Sequence, residues 1–166
     1  MPDKKTVEHA KKDKREGKAP STQAGEFVHE EIKHIREGKH GARSTKQAIA
    51  IGLSKARRAG VDLPPPEEGS TSEETRRSAA SAYKAGHTGH HEVSRTRSRA
   101  TRQALKREGH SAASKKALAK QAHSAAARKP ASARSAAARK AVTTKGATGR
   151  STAAKKAART RSRNGT

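Results

Sequence analysis

The sequence predicts a mostly α-helical protein: a small helical hairpin module followed by a largely disordered basic C-terminal tail. Three observations carry that expectation. The 166 residues include only 16 large apolar side chains (five Val, four Ile, four Leu, one Met, one Phe and one Tyr), because most residues counted as hydrophobic are Ala. Nine of those 16 fall within Phe27–Leu63, so the core is expected there. Charge is unevenly spread as well. Residues 1–92 hold 18 Lys/Arg and 14 Asp/Glu, whereas residues 93–166 hold 21 Lys/Arg and one acid, Glu108. Low hydrophobicity with a net charge of +24 leaves too little burial to offset the entropy of ordering the whole chain.

The first element, residues 1–21, is a charged segment in which Asp3–Glu16 is helix-prone and Gly17 stops the helix. The hairpin module spans 22–63. Its first helix is expected over Thr22–Glu37, where Val28, Ile32 and Ile35 follow a helical stripe and Gly38 supplies the left-handed residue that ends many helices. A loop over 39–43 leads to Ser44, with Gln47 three residues on, the spacing of a capping box. The second helix, Thr45–Ala59, places Ile49, Leu53 and Ala56 on one face beside Gly52, which permits close helix approach. Gly60 stops it, and Val61 and Leu63 can fold back over the stripe. Pro64, Pro65 and Pro66 open a Pro/Gly/His linker with a short helix, residues 64–92. A core this thin makes an isolated hairpin marginal, so it is expected to gain from self-association or a ligand.

The tail, residues 93–166, is read as disordered or conditionally helical. SAAARK recurs at Ser124–Lys129 and Ser135–Lys140, and TRSR at Thr96–Arg99 and Thr160–Arg163. Such Ala/Lys/Arg sequence has high helix propensity but repels itself until a polyanion neutralises it. A weaker repeat places Arg-Glu-Gly at 15–17, 36–38 and 107–109, each followed by a Ser that can open a helix: Ser21, Ser44 and Ser114.

These features exclude several functions. The chain has no Cys, hence no disulfide and no thiolate chemistry. Its N-terminal residues lack a signal peptide's apolar stretch, and the longest nearly apolar run, Ala48–Leu53, is far short of the ~20 residues of a membrane span. An intracellular, soluble protein without membrane contact is expected. No catalytic residue, cofactor or metal site is identified, and enzymatic activity is not expected, because a pocket needs a packed scaffold. His87, His90, His91 and Glu92 could ligate a metal, but they read as a polar linker without the neighbours that orient ligands. His29, His34, Glu30 and Glu31 read as surface residues of an ordinary exposed helix.

The partner implied by the charge is nucleic acid, with DNA preferred over RNA. Neutralising phosphates releases condensed counterions, which gives salt-dependent and sequence-blind affinity. No aromatic residue follows Tyr83, so stacking on unpaired bases is unsupported. The candidate contacts begin with Lys39, Arg43 and Lys46, around a loop whose backbone N–H groups precede a helix N-terminus. In the tail they are Arg95, Arg97, Arg99, Arg102, Lys106, Arg107, Lys115, Lys116, Lys120, Arg128, Lys129, Arg134, Arg139, Lys140, Lys145, Arg150, Lys155, Lys156, Arg159, Arg161 and Arg163.

Two resemblances complete the reading. Lys46-Gln47-Ala48-Ile49-Ala50-Ile51, then Leu53-Ser54 and Ala56-Arg57, within Phe27–Gly60, resembles the KQAIAIxLSxAR core of an uncharacterised bacterial and phage family of small basic proteins. That resemblance brings no known activity. Residues Ala125–Ala141 are similar to linker-histone C-terminal domains, although Pro130 is the only proline of this tail. The function expected is a histone-like, nucleoid-associated protein that binds DNA without sequence specificity. The competing expectation is an RNA-associated or protein-interaction factor in which the 22–63 module binds a partner and the tail localises it.

Overall fold

The computed structural model describes residues 2–88 and 94–163; His90, His91 and Glu92 of the linker lie outside them. In chain order the elements are α1 (Lys4–Arg15), α2 (Pro20–Arg36), α3 (Thr45–Arg58), α4 (Glu73–His87), α5 (Arg95–Lys106), a 3-10 turn (Ser111–Ala113), α6 (Lys115–Ala127) and α7 (Ala131–Arg163). Among the described residues there is no strand. The chain forms two compact units, Met1–Gln121 and Ala122–Thr166.

Local chemistry sets the helix ends. Gly17, Gly38 and Gly60 follow α1, α2 and α3 with φ of 71, 72 and 83°, where a Cβ would clash with its own backbone. Pro20 opens α2 at a position whose N–H needs no partner. Ser44 caps α3 by accepting from the Gln47 amide at 3.2 Å. The return bond of the expected capping box lands one residue early, with Gln47 Oε1 accepting from the Arg43 amide at 2.7 Å. Ser72 and Ser114 cap α4 and α6 in the same manner. Ser21, by contrast, lies inside α2 rather than opening it.

In the first unit α1 packs on α2, α2 on α3 and α3 on α4, so the hairpin is the middle of a larger assembly. One core cluster joins Ala10 of α1, Ala24 and Phe27 of α2, Ala56 of α3 and Val61, with Val7, Leu53 and Leu63 at its edge. A second joins Ile32, Ile35, Ala42 and Ala48 to Ala112 and Ala113, with Val28 and Leu118 beside them. Alanine supplies nine of the 13 buried apolar side chains, which explains how so few large residues suffice. Small side chains let helix backbones approach closely, so dispersion contacts replace bulk. At Gly52 the approach of α3 to α2 leaves no room for a side chain: a Cβ there would stand 2.7 Å from Val28 Cα.

Three expectations are corrected here. The described residues of the expected linker, 64–88, hold more than a short helix: α4 runs 15 residues, buries Ala79 and Ala82, and ties back through Tyr83 Oη donating to Asp62 Oδ1 at 2.7 Å. Arg57 is buried and donates to the carbonyls of Leu63 (3.0 Å) and Pro64 (3.2 Å), clamping the start of that stretch. Residues 105–118, assigned by charge to the tail, dock on the hairpin instead. Arg36 Nε donates to Ala113 O (2.8 Å), Thr45 Oγ1 to Ala112 O (2.7 Å), and the Gly41 and Ala42 amides to Leu105 O (2.9 Å) and Gly109 O (3.0 Å).

The third correction is that the tail is helical rather than disordered. In the second unit α7 is two helical stretches broken at Gly146 (φ 63°, ψ 179°). Among its described residues none is buried. Alanine carries no helix penalty, whereas like charges one turn apart cost only ~0.2–0.5 kcal/mol per pair. Local propensity therefore outweighs the repulsion that suggested disorder. The threonines fit because Thr143, Thr144, Thr152 and Thr160 turn their hydroxyls onto carbonyls four residues back, at 2.9–3.1 Å.

Candidate nucleic-acid interface and a buried polar cluster

Each candidate phosphate contact whose side chain is described is exposed; the Lys145 side chain lies outside the description. Among the described residues, no acidic side chain forms an ion pair with a Lys or Arg beyond Arg77. The cations of α5 are organised further. Arg95, Arg99, Arg102 and Lys106 fall at i, i+4, i+7 and i+11, a single face of the helix, while Arg97 projects from the opposite side. That stripe is about 16 Å long, or roughly five base-pair rises along one strand. The cations of α7 (Arg150, Lys155, Lys156, Arg159, Arg161 and Arg163 after the break) point all round the helix, so no face there is dedicated to a groove.

The loop after α2 is placed differently from its sequence reading. Lys39, Arg43 and Lys46 are exposed, but Lys39 Nζ pairs with Glu37 at 3.2 Å and holds that carboxyl below the ordinary range. Several of the backbone amides proposed to meet an anion are already engaged. Lys39 N donates to His34 O (3.0 Å), Gly41 and Ala42 N to the 105–109 segment, and Gln47 N to Ser44. Gly41 passes so close to the Glu108 carbonyl that no Cβ fits. The loop is a docking joint whose cationic side chains stay exposed.

Sequence reasoning missed a polar cluster inside the first unit. Glu30 and Glu31 are buried, with Glu31 fully so, contrary to the exposed helix expected of them. Lys55 of α3 brings its ammonium to 2.6 Å from Glu31 Oε2 and 3.7 Å from Glu30 Oε1. His40 Nε2 stands 3.3 Å from Glu31 Oε1, and its Nδ1 meets Gly41 O at 3.1 Å. His34 lies between Glu30 (Nδ1, 3.8 Å) and Asp3 (Nε2, 3.6 Å) and is mostly covered rather than a surface residue. Glu30 Oε2 also accepts from the Asp3 amide at 3.2 Å, joining the α1 N-terminus to the cluster. Despite these close charges, Glu30 Oε1 and both Glu31 oxygens accept no well-formed hydrogen bond. Two sets of possible metal ligands result, Glu31/His34/His40 and Asp3/Glu30/His34, each with its atoms within 4.8 Å of one another. The signal in sequence was thin: Lys55 and His40 approach Glu31 only through the turn between α2 and α3.

This cluster and both helices of the hairpin fall in one matched segment. Residues 3–67 match a family of unknown function, DUF6496. The match begins at α1 rather than at Phe27, as the packing of Val7 and Ala10 against Phe27 requires. It ends within the chain that Arg57 clamps, before α4 and the basic helices. No curated protein and no solved structure matches the chain. Among the described residues, no helix is long and apolar enough to cross a membrane.

Proposed function

We propose that this protein binds duplex DNA through its phosphates, without reading sequence, as a histone-like nucleoid-associated protein. The observation that carries the reading is the state of the cations beyond residue 93: mostly on helices, with every described side chain exposed and unpaired with acids among the described residues. The second unit supplies 12 Lys/Arg and no acid, which suits a polyanion as its partner. Phosphate neutralisation with counterion release is the mechanism. The α5 stripe would lie along one strand, while cations all round α7 would bridge neighbouring duplexes and favour compaction. Duplex is favoured over unpaired strands because neither aromatic ring offers a stacking platform. Phe27 is buried, and Tyr83 is stacked on His87 at 4.0 Å with its hydroxyl on Asp62. Similarity of Ala125–Ala141 to linker-histone C-terminal domains supports the same reading, and Lys46–Arg57 is taken as the core of the matched family. The test is equilibrium binding to a duplex, its scrambled sequence, single-stranded DNA and structured RNA over a range of salt. Equal, steeply salt-dependent duplex affinities are expected; a strong preference for one sequence or for RNA overturns the proposal.

A further inference from the structure

The buried cluster of the first unit has no part in phosphate binding, and its chemistry differs from the surface around it. We propose that Glu31, His34 and His40 form a binding site for a divalent transition metal of the zinc class. Four observations lead there.

The first is the relation of His40 to Glu31. A carbonyl oxygen only accepts, so the contact to Gly41 O places a proton on His40 Nδ1. In the neutral ring Nε2 then presents its lone pair to Glu31 Oε1, 3.3 Å away and itself without a hydrogen-bond donor. Two acceptors face each other. A cation between them resolves the conflict, and the distance suits one: donors ~2.0–2.1 Å from a tetrahedral metal stand about 3.3–3.4 Å apart. A proton on Nε2 would resolve it too, and the experiment below separates the two.

The second observation is orientation from behind. Metal-binding imidazoles characteristically donate their other N–H to a carbonyl or carboxylate. His40 has Gly41 O in that place, and His34 Nε2 has the Asp3 carboxylate nearby, at 3.6 Å. Lys55 holds the other oxygen of Glu31 at 2.6 Å, which leaves Oε1 as the ligand atom. The loop bearing His40 is fixed in turn, since the amides of Gly41 and Ala42 are bonded to the 105–109 segment.

Charge is the third. The buried carboxylates of Glu30 and Glu31 are met by a single ammonium, Lys55, and a divalent ion would supply the missing positive charge. Burying an unbalanced carboxylate is costly, so the first unit gains from that ion. Access is the fourth: Glu31 is fully covered, but the side chains of His34 and His40 stay 12% and 17% exposed, so an ion can enter past the two rings. Two imidazoles with one carboxylate suit zinc, cobalt, nickel or copper rather than the all-oxygen ions magnesium and calcium. All six residues involved lie within the family match, apart from the basic helices.

The test is titration of the full chain with Co2+, read by its visible absorption, followed by displacement with Zn2+. Saturable one-to-one binding is expected. His34→Gln, His40→Gln and Glu31→Gln should each weaken it at least tenfold, the range seen when metal-site contacts are removed. Circular dichroism checks helicity, and His40→Gln, on a partly exposed loop, decides if Glu31→Gln unfolds the unit. A His87→Ala/His90→Ala/His91→Ala variant should retain the site. Absence of saturable binding, or binding carried by the linker histidines instead, overturns the proposal.

Discussion

Ala113→Asp separates a hairpin that stands alone from one completed by a distant segment. Ala113 is fully buried among Ile32, Ile35, Ala42, Ala48 and Ala112, and its carbonyl accepts from Arg36 Nε at 2.8 Å. An aspartate there enters an apolar cluster, and an ionised carboxylate left unpaired inside a protein costs several kcal/mol. The chain need not bear the whole cost, because the 3-10 turn can detach. The observable loss is therefore capped by the free energy of docking. Docking comprises two alanine methyls at ~0.8 kcal/mol each, bonds from Thr45, Gly41 and Ala42 at ~1 each, and the Arg36 bond at ~2, opposed by the entropy of ordering the turn. A net loss of about 2–4 kcal/mol is expected, which accelerates amide exchange roughly 30- to 900-fold where protection depends on docking. The assay is hydrogen exchange by NMR at Ile32, Ile35 and Ala48, with Ala126→Asp on an exposed face of α6 as control. Unchanged protection at those amides would refute the docking of 111–113 and return the segment to the tail.

Cutting after Gln121 preserves the first unit and removes 12 of the 39 cations, so if about half of them engage phosphate, the slope of log K against log salt should become shallower by ~5. An unchanged slope would show that the second unit does not bind. Gly52→Ala should destabilise, because ~1–3 kcal/mol of overpacking against the Val28 backbone exceeds the ~1 kcal/mol gained in helix propensity. Gly25→Ala, with open space around it, should stabilise by about 0.5–1 kcal/mol; thermal melts read both signs. Tyr83, the only tyrosine, should titrate above 10.0, because its hydrogen bond to Asp62 stabilises the neutral phenol, with burial and the carboxylate charge adding to the effect. That bond's contribution to stability is full below the unfolded value and lost as pH rises through the folded one. Ultraviolet titration of Asp62→Asn should return the midpoint toward 10.0.

The sequence by itself determined the helices and their punctuation. Periodic Val28, Ile32 and Ile35, the glycines at 17, 38 and 60 and the serine cap at 44 act within one turn of chain, so their effects are readable locally. It determined the charge segregation as well, and with it the class of partner worth testing. Whether the basic segment stays ordered was misjudged, because alanine's propensity outweighs a modest repulsion between like charges. Tertiary structure alone decided what meets what. Ala112 and Ala113 look like any tail alanines until four hydrogen bonds from α2, α3 and the loop between them draw them into the core. Glu30 and Glu31 look like solvated helix acids until Lys55, His40 and Asp3 close over them. Burial and partner identity depend on residues brought together from far apart in the chain, and no periodicity within a single helix encodes that.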